Sequence, residues 1–261
     1  KPRRKMKIAI DCGNAVPGPL TIKLMEKLDV DLVPVHCNWD DKFPNHPPDP
    51  TRPENMKDLA KAVVENSAEF GIGMDGDGDR IGVVDQEGRF IHPDRLMTIF
   101  VKDILAERKG GTESERTVFY DVKCSMALEE AIYSSGGIPK MVRTGHSFMK
   151  RELKENPDSP LAGEMSGHFF LNDRWPGFDD SLYNTARLLE IIAREPSPNE
   201  GGPKFSDWFE DLPEYASTGE AKVPLTMNRE ETMDSVERKF SDMKYSKVDG
   251  VRVRYPEGWF L

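Results

Sequence analysis

A chain of 261 residues has room for about two domains, and its 46 acidic against 36 basic side chains leave a net charge of -10, which argues against nucleic-acid or anionic-membrane partners because both call for a basic face. No apolar run approaches the roughly 20 residues of a membrane span, and the basic start Lys1-Pro2-Arg3-Arg4-Lys5 lacks the apolar stretch of a secretory signal. Cys12, Cys37 and Cys124 are odd in number and too scattered for a disulfide framework or zinc spacing, which points to a reducing, cytoplasmic setting.

Residues 6–11 read as a buried strand, and Gly13-Asn14 with Pro17-Gly18-Pro19 turn the chain into a helix carrying Leu20, Leu24 and Leu28 on one face. A second strand spans 30–35. Residues 43–50 hold too much proline for a ladder or a helix interior, and His46 within them reads as a solvated loop histidine. Pro53 suits the first turn of a helix whose apolar stripe is Met56, Leu59, Ala60, Val63 and Val64.

That helix delivers the chain to Asp75-Gly76-Asp77-Gly78-Asp79-Arg80. Carboxylates at i, i+2 and i+4 fall on one side of an extended or smoothly looping backbone, and the glycines admit close neighbours. Like charges so placed repel unless a cation sits among them, and Mg²⁺ suits a site of few carboxylates completed by phosphate or water oxygens. A solvated Asp/Gly turn is the plain alternative. An EF-hand is excluded, since Arg80 and Gln86 occupy the glycine and glutamate places of such a loop. Apolar strands at 71–74 and 81–84 pin the loop at strand ends, and Arg80 adds a fixed cation suited to an anionic partner.

The strand after the loop turns through Gln86-Glu87-Gly88 into a hairpin, and Pro93 opens a helix with Leu96, Ile99, Phe100 and Ile104. Polar, glycine-bearing 109–115 is the best linker. The next unit begins as the first does, with strand 117–121 ending in Asp121, a turn through Lys123 and Cys124, and a helix over 125–135. Two copies of one α/β plan are expected. Strand 138–142 leads through Arg143-Thr144-Gly145-His146-Ser147 into a helix from Phe148, a compact turn covers 163–168, and Asp179-Asp180 cap a helix with Leu182, Ala186, Leu189 and Ile192 inward. Beyond the irregular connector 196–203, a strand over 219–226, a polar helix over 229–240 and a strand over 248–255 are expected. That last strand is left without partners, which suggests a truncated protein.

The unusual polar residues gather in loops at strand ends, where α/β proteins bind ligands: Asp75 to Arg80, Lys123, His146, and Glu164 to His168. Glu164 and Ser166 can meet the hydroxyls of a polyhydroxylated substrate, and His168 can move a hydroxyl proton. Each also has a plain structural reading: Lys123 as a solvated lysine, His146 as a helix cap, Glu164 as half of a surface pair.

Taken in order, Asp75-Gly-Asp-Gly-Asp-Arg80, Asp121-Val-Lys-Cys124, Thr144-Gly-His-Ser147 and Gly163-Glu-Met-Ser-Gly-His168 resemble the α-D-phosphohexomutase family, closest to its bacterial phosphomannomutase/phosphoglucomutase branch. The likeness runs along almost the whole chain, including 43–50 and 175–180. It implies an α/β fold of two successive domains of one plan, each a mixed sheet flanked by helices, plus a partial C-terminal domain. These are domain two over 1–110, domain three over 111–226, and a linker with the truncated start of domain four over 227–261. It also implies Mg²⁺ on Asp75, Asp77 and Asp79 with Arg80 beside a phosphoserine. Glu164 and Ser166 correspond to the loop that grips sugar hydroxyls, and Lys123, His146 and His168 line the sugar-phosphate cleft, with His168 first among them for proton transfer. The expected substrates are mannose or glucose 1- and 6-phosphate and the hexose 1,6-bisphosphate.

Departures from the family pattern are Ala15 for glycine, Met126 for arginine and Phe260 for glycine, and neither a Ser-His-Asn-Pro nor an Arg-x-Ser-Asn-Thr segment occurs. The resemblance therefore implies phosphoryl transfer between C6 and C1 of a hexose through a phosphoserine and a bisphosphate, with this piece alone inactive. Two alternatives stand beside it: a fragment that only binds Mg²⁺ and sugar phosphate, and a phosphatase using Asp75 as nucleophile and Asp77 as acid. The latter is weakened by Gly78, where that motif carries Thr or Val.

Overall fold

The computed structural model describes residues 2–217, 219, 221, 223–226, 228–256 and 258–261. The first unit runs β1 (Lys7–Asp11), α1 (Gly18–Leu28), β2 (Asp31–Val35), a 3-10 turn (Pro53–Met56) continuing as α2 (Lys57–Asn66), β3 (Gly71–Met74), β4 (Ile81–Val84) and β5 (Phe90–Ile91). Its sheet has the order β2-β1-β3-β4-β5. β1 lies parallel to both β2 and β3, and β3, β4 and β5 pair antiparallel. Alternation along β1 sorts its two faces: Ile8 and Ile10 join a cluster with Met25 of α1, whereas Ala9 joins Leu59 and Val63 of α2. The sheet is thus covered on both sides.

The second unit repeats the plan. After α3 (Pro93–Ala106) and the single turn α4 (Glu113–Arg116) come β6 (Thr117–Asp121), α5 (Met126–Ser134), β7 (Ile138–Val142), α6 (His146–Glu155), β8 (Leu161–Gly163), β9 (Phe169–Leu171) and α7 (Ser181–Ile192). The order β7-β6-β8-β9 places β6 parallel to β7 and β8, with β8 and β9 antiparallel. The expected pair of mixed α/β sheets is therefore what forms. One apolar cluster takes in Ile72 and Val83 of the first sheet, Leu96 and Phe100 of α3, Val118 and Leu161 of the second sheet, and Leu188 of α7. The two units share a core, while α6 covers the outer face of the second sheet through Met149 and Leu153.

The last part holds α8 (Arg229–Lys239), β10 (Tyr245–Ser246), β11 (Arg252–Tyr255) and β12 (Gly258–Phe260), a small antiparallel sheet. It docks on the second unit: an Arg252 Nη2 donates to the Cys124 carbonyl at 3.0 Å and Arg254 pairs with Glu129 at 3.0 Å.

Several expectations need correction. Leu20 is 54% exposed, and the inward face of α1 is Gly18, Thr21 and Met25, with Leu24 and Leu28 half-buried. The cause is a close approach at the helix start, where a Cβ on Gly18 would stand 2.2 Å from the Cys37 carbonyl oxygen. That contact sets the rotation of α1. Val64 likewise faces solvent while Leu59 and Val63 are buried. The 109–115 segment is not plain linker, because Thr112 and Glu115 form a reciprocal capping box that starts α4. No strand occurs at 219, 221 or 223–226, and residues 220 and 222 of that expected strand lie outside the described residues. The strand expected over 248–255 shortens to Arg252–Tyr255, and it is not left without partners, since β10 and β12 pair on either side of it. All three cysteines are free and buried, yet the parallel ends of β1 and β2 bring Cys12 and Cys37 to 3.4 Å, sulfur to sulfur. Among the described residues no helix is long and apolar enough to cross a membrane.

The proline-rich loop lies so close under β4 that a Cβ on Gly82 would come within 2.2 Å of the Pro50 carbonyl oxygen. Backbone against backbone leaves no flexible side chain to yield. Gly82→Ala should therefore cost about 1–3 kcal/mol, read as a lower urea midpoint with unchanged m-value; an unchanged midpoint would show that the loop can retreat.

Candidate functional site

Both mixed sheets end their first strand in a buried aspartate, Asp11 in β1 and Asp121 in β6, and the loops that follow neighbouring strands gather at those ends. The Asp75 loop leaves β3 as a tight turn, not an extended ribbon. Asp75 is fully buried, and its Oδ1 accepts backbone N–H bonds from Gly78, Asp79 and Arg80 at 3.0–3.1 Å. Its Oδ2 accepts from Arg80 Nε at 2.8 Å. Gly78 provides the positive φ of 80° that the turn requires.

The three carboxylates do converge. One oxygen from each of Asp75, Asp77 and Asp79 lies within 4.8 Å of the others, with Asp75 buried, Asp77 exposed and Asp79 between. Asp79 Oδ1 is buried without a hydrogen-bond partner, an orphaned oxygen of the kind a bound cation satisfies. The donor set of hard carboxylate oxygens fits Mg²⁺.

Arg80 ties this loop to its surroundings. Beyond Asp75 it lies 3.5 Å from Asp49 of the proline-rich loop and 3.7 Å from Asp79. Burial works against its charge, but Asp75, Asp49 and Asp79 together outweigh it and hold the guanidinium above its ordinary value.

The second unit presents its 163–168 turn directly to this loop. Ile81 N–H donates to the Gly167 carbonyl at 3.1 Å, Arg80 and His168 form an antiparallel bridge, and Ser181 N–H donates to the Gly78 carbonyl at 2.9 Å. Gly167 has φ 84°, and a Cβ there would stand 2.7 Å from the Ile81 carbonyl oxygen. Only glycine fits this joint.

His168 sits at the centre. Its Nδ1 shares a 2.7 Å hydrogen bond with Ser166 Oγ and lies 3.2 Å from Glu164 Oε2, while its Nε2 lies 3.4 Å from Asp79 Oδ1. The His146 ring stacks beside it at 5.5 Å. Burial disfavours the imidazolium, but the Glu164 carboxylate 3.2 Å from Nδ1 and the charges of Asp79 and Asp179 prevail and raise the pKa above the ordinary histidine value.

Glu164 is 1% exposed, so it is no surface pair; its Oε1 accepts from Gly145 N–H at 2.5 Å. Nor is His146 a cap. Gly145 holds the cap position of α6 without a side-chain bond, and His146 opens the helix, half exposed, with Nδ1 3.4 Å from Asp179 Oδ2 and 3.3 Å from Lys150 Nζ. Lys123 is half-buried in the β6–α5 turn. Asp121, in the same turn, holds the sugar-loop candidate in place: its Oδ1 accepts from Met165 N–H at 3.2 Å and its Oδ2 from Thr144 Oγ1 at 3.0 Å. Burial pushes the Asp121 carboxyl up, against hydrogen bonds from Cys124 and Met165.

Sequence reasoning missed Asp49, Asp121 and Asp179 as members of this site. Of the expected cap pair only Asp180 caps α7, accepting from Tyr183 N–H at 2.9 Å, while Asp179 pairs with Lys150 at 2.7 Å. The repeated strand-final aspartate was the available signal for Asp121; nothing local marked Asp49 or Asp179. His46, read as solvated, instead lies 3.0 Å from the buried Asp11 carboxylate.

With both oxygens engaged and no exposed surface, Asp75 is poorly placed to attack a phosphorus atom. The arrangement suits a held cation beside a hydrogen-bonding, proton-moving loop.

Comparison with known proteins supplies a context. A family model described as phosphoglucomutase/phosphomannomutase, alpha/beta/alpha domain II, matches residues 1–88, and the domain III model matches 92–215, so α3 falls in the second. The chain is similar to a phosphomannomutase/phosphoglucomutase of Pseudomonas syringae pv. tomato, 41% identical over 99% of this chain and 54% of that protein. It is also similar to a phosphoglucomutase of Neisseria meningitidis serogroup A, 40% identical over 100% of this chain and 55% of that protein. An X-ray structure of a phosphoglucomutase/phosphomannomutase family protein from Burkholderia thailandensis matches with a TM-score of 0.88 at 41% identity, covering 99% of this chain and 53% of that one. The chain thus spans about half the length of the curated relatives it matches.

The His168 environment generates a titration test. A histidine pKa raised by folding contributes stability that is fully present below the unfolded value of about 6.5 and is lost as pH rises through the folded value. In metal-free protein, the His168 ring should titrate above free histidine by NMR, and Glu164→Gln should move its midpoint down. An unmoved midpoint would mean that Glu164 does not hold the imidazolium.

Proposed function

The chain belongs to the phosphoglucomutase/phosphomannomutase family, and from that premise we propose that it provides the metal loop and the sugar loop of an enzyme that moves a phosphoryl group between C6 and C1 of mannose or glucose phosphate. The observation that carries this reading is the joint between the units, where Ile81 donates to Gly167 and Arg80 bridges to His168. It sets an acidic, cation-holding loop against a loop rich in hydroxyl-binding groups.

In this mechanism a phosphoserine gives its phosphoryl group to a free sugar hydroxyl. The resulting hexose 1,6-bisphosphate reorients, and its other phosphoryl group returns to the serine. Mg²⁺, held by Asp75, Asp77 and Asp79, would offset charge on the transferring phosphoryl group. Arg80 keeps a fixed positive charge beside Asp75 and Asp79. Glu164 accepts from a sugar hydroxyl through the oxygen it does not share with Gly145, and Ser166 reaches a neighbouring hydroxyl. His168 takes and returns the hydroxyl proton, its imidazolium stabilised by Asp79 and Glu164. His146 and Lys123 line the cleft around the sugar phosphate. A reoriented intermediate must be bound in two directions, which favours a loop that reads hydroxyls without strict selectivity.

A cytoplasmic setting agrees with three free thiols. The division at 110/111 and 226/227 is part of the same proposal. The shared apolar core through α3 means that the first two units act as one block despite it.

Two measurements test the reading. Asp79→Asn should weaken Mn²⁺ or Mg²⁺ binding by roughly tenfold or more, followed by water relaxation; unchanged affinity would remove the metal from this loop. In a coupled assay with glucose or mannose 1-phosphate, Mg²⁺ and a trace of bisphosphate, residues 1–261 alone should give no turnover, since they hold no Ser-His-Asn-Pro segment. Turnover within about tenfold of a complete relative would place the nucleophile inside this chain.

A further inference from the structure

A second set of ligand-type side chains lies at the ends of β1 and β2, apart from the acidic loop. We propose that Asp11, His36 and His46 form a binding site for a borderline divalent metal ion of the Zn²⁺ class. One ligand atom from each lies within 4.8 Å of the other two. Two imidazoles and a carboxylate are the donors that Zn²⁺ accepts and that Mg²⁺ does not favour.

The hydrogen bonds give the ring nitrogens definite roles. His46 Nδ1 faces the Pro47 carbonyl oxygen at 2.8 Å, and a carbonyl only accepts, so Nδ1 carries a proton. Nε2 then points at Asp11 Oδ2, 3.0 Å away. In the neutral ring that nitrogen has a lone pair facing a carboxylate, and a positive species must lie between them. A proton suffices at 3.0 Å; a tetrahedral Zn²⁺ with bonds near 2.0–2.1 Å needs its ligand atoms about 3.3 Å apart. The existing separation is within a small adjustment of that value.

The remaining contacts hold each ligand in place. Asp11 Oδ1 is taken by the Gly13 N–H at 2.8 Å, which leaves Oδ2 as the free donor. His36 Nε2 pairs with Asp58 at 2.9 Å, so that with the proton on Nε2 its Nδ1 is left as a lone-pair donor. This is the carboxylate–histidine arrangement that orients metal-bound imidazoles. His36 also has φ 46°, an uncommon conformation for a side chain of this size, and its carbonyl oxygen accepts from Asn14 N–H at 2.7 Å. The side chains of Asp11, His46 and His36 are 3%, 15% and 21% exposed, shielded yet reachable by an ion.

Such an ion would join the ends of two strands to the proline-rich loop. That loop supports the acidic loop, with Pro48 beneath Gly76 and Asp49 beside Arg80. The metal would stiffen the support of the Asp75 turn without taking part in its chemistry.

The test is calorimetric titration of the whole chain with Zn²⁺ in excess Mg²⁺, with Co²⁺ absorption as a second readout and circular dichroism to verify folding. One equivalent should bind with a dissociation constant at or below about 1 μM and raise the thermal midpoint. His46→Gln and His36→Asn should lose that equivalent and the midpoint shift; asparagine is chosen because it tolerates the left-handed backbone. Asp79→Asn should retain both, although it disrupts the other two candidate groups, which share Asp79. The proposal is overturned if His36→Asn still binds the equivalent, if Asp79→Asn loses it, if wild type binds none in this range, or if Co²⁺ shows thiolate charge transfer, which would place the ion on Cys12 and Cys37.

Discussion

The buried carboxylate of Asp75 is the constraint on which the site depends. Three consecutive backbone N–H groups converge on one of its oxygens and the Arg80 side chain on the other. Hydrogen bonds to a charged group are worth about 1.5–3 kcal/mol each, enough together to impose a tight turn on a segment of small and acidic residues. The turn brings Asp77 and Asp79 round toward Asp75 despite their mutual repulsion. Asp75 is thus first an organiser of backbone and only then a candidate donor to a cation.

The turn would be of little use on a flexible tether, and the fold does not give it one. Two sheets of the same order, β2-β1-β3-β4 and β7-β6-β8-β9, share an apolar core through α3 and α7. The extension of β4 into the 163–168 turn then locks the loops together by main-chain bonds. Each unit uses its strand-final aspartate differently. Asp121 ties Met165 of the sugar-loop candidate to Thr144 of the turn before α6, whereas Asp11 holds Gly13 and His46. The shared plan places the aspartate at the same point in each unit, and the residues packed beside it decide its partner.

Local chemistry made much of this legible. Most of the strand and helix order from Met6 to Ile192 followed from period and punctuation, but the three-residue strands β8 and β9 beside the 163–168 turn and the single turn α4 are too short to show a period and went unread. Three aspartates separated by single glycines announced a loop built around charge. What stayed hidden depended on distant neighbours. Leu20 looked inward by spacing, but the approach of Gly18 to the Cys37 carbonyl turned the helix. His46 looked solvated because nothing nearby in sequence reveals that Asp11 lies opposite it. Asp179 looked like a cap because it precedes one, and only the packing of α6 against the second sheet delivers Lys150 and His146 to it.

One property of the site follows from its assembly and not from any single residue. Asp79 Oδ1, Glu164 Oε2 and Asp179 Oδ2 are buried without hydrogen-bond partners, and all three lie within 3.4 Å of an imidazole nitrogen of His168 or His146. Buried carboxylate oxygens in this state raise the energy of the folded chain unless positive charge is near. Arg80, Lys150 and the raised pKa of His168 provide part of that charge. The remaining deficit is held in a fixed geometry at the junction of two rigid units, so it is relieved by what enters from outside. A cation would satisfy the Asp79 oxygen, and a hydroxyl donor would satisfy the Glu164 oxygen. Ligand groups of those two kinds need little rearrangement of the protein to bind, and preorganisation of that sort converts fold stability into binding affinity.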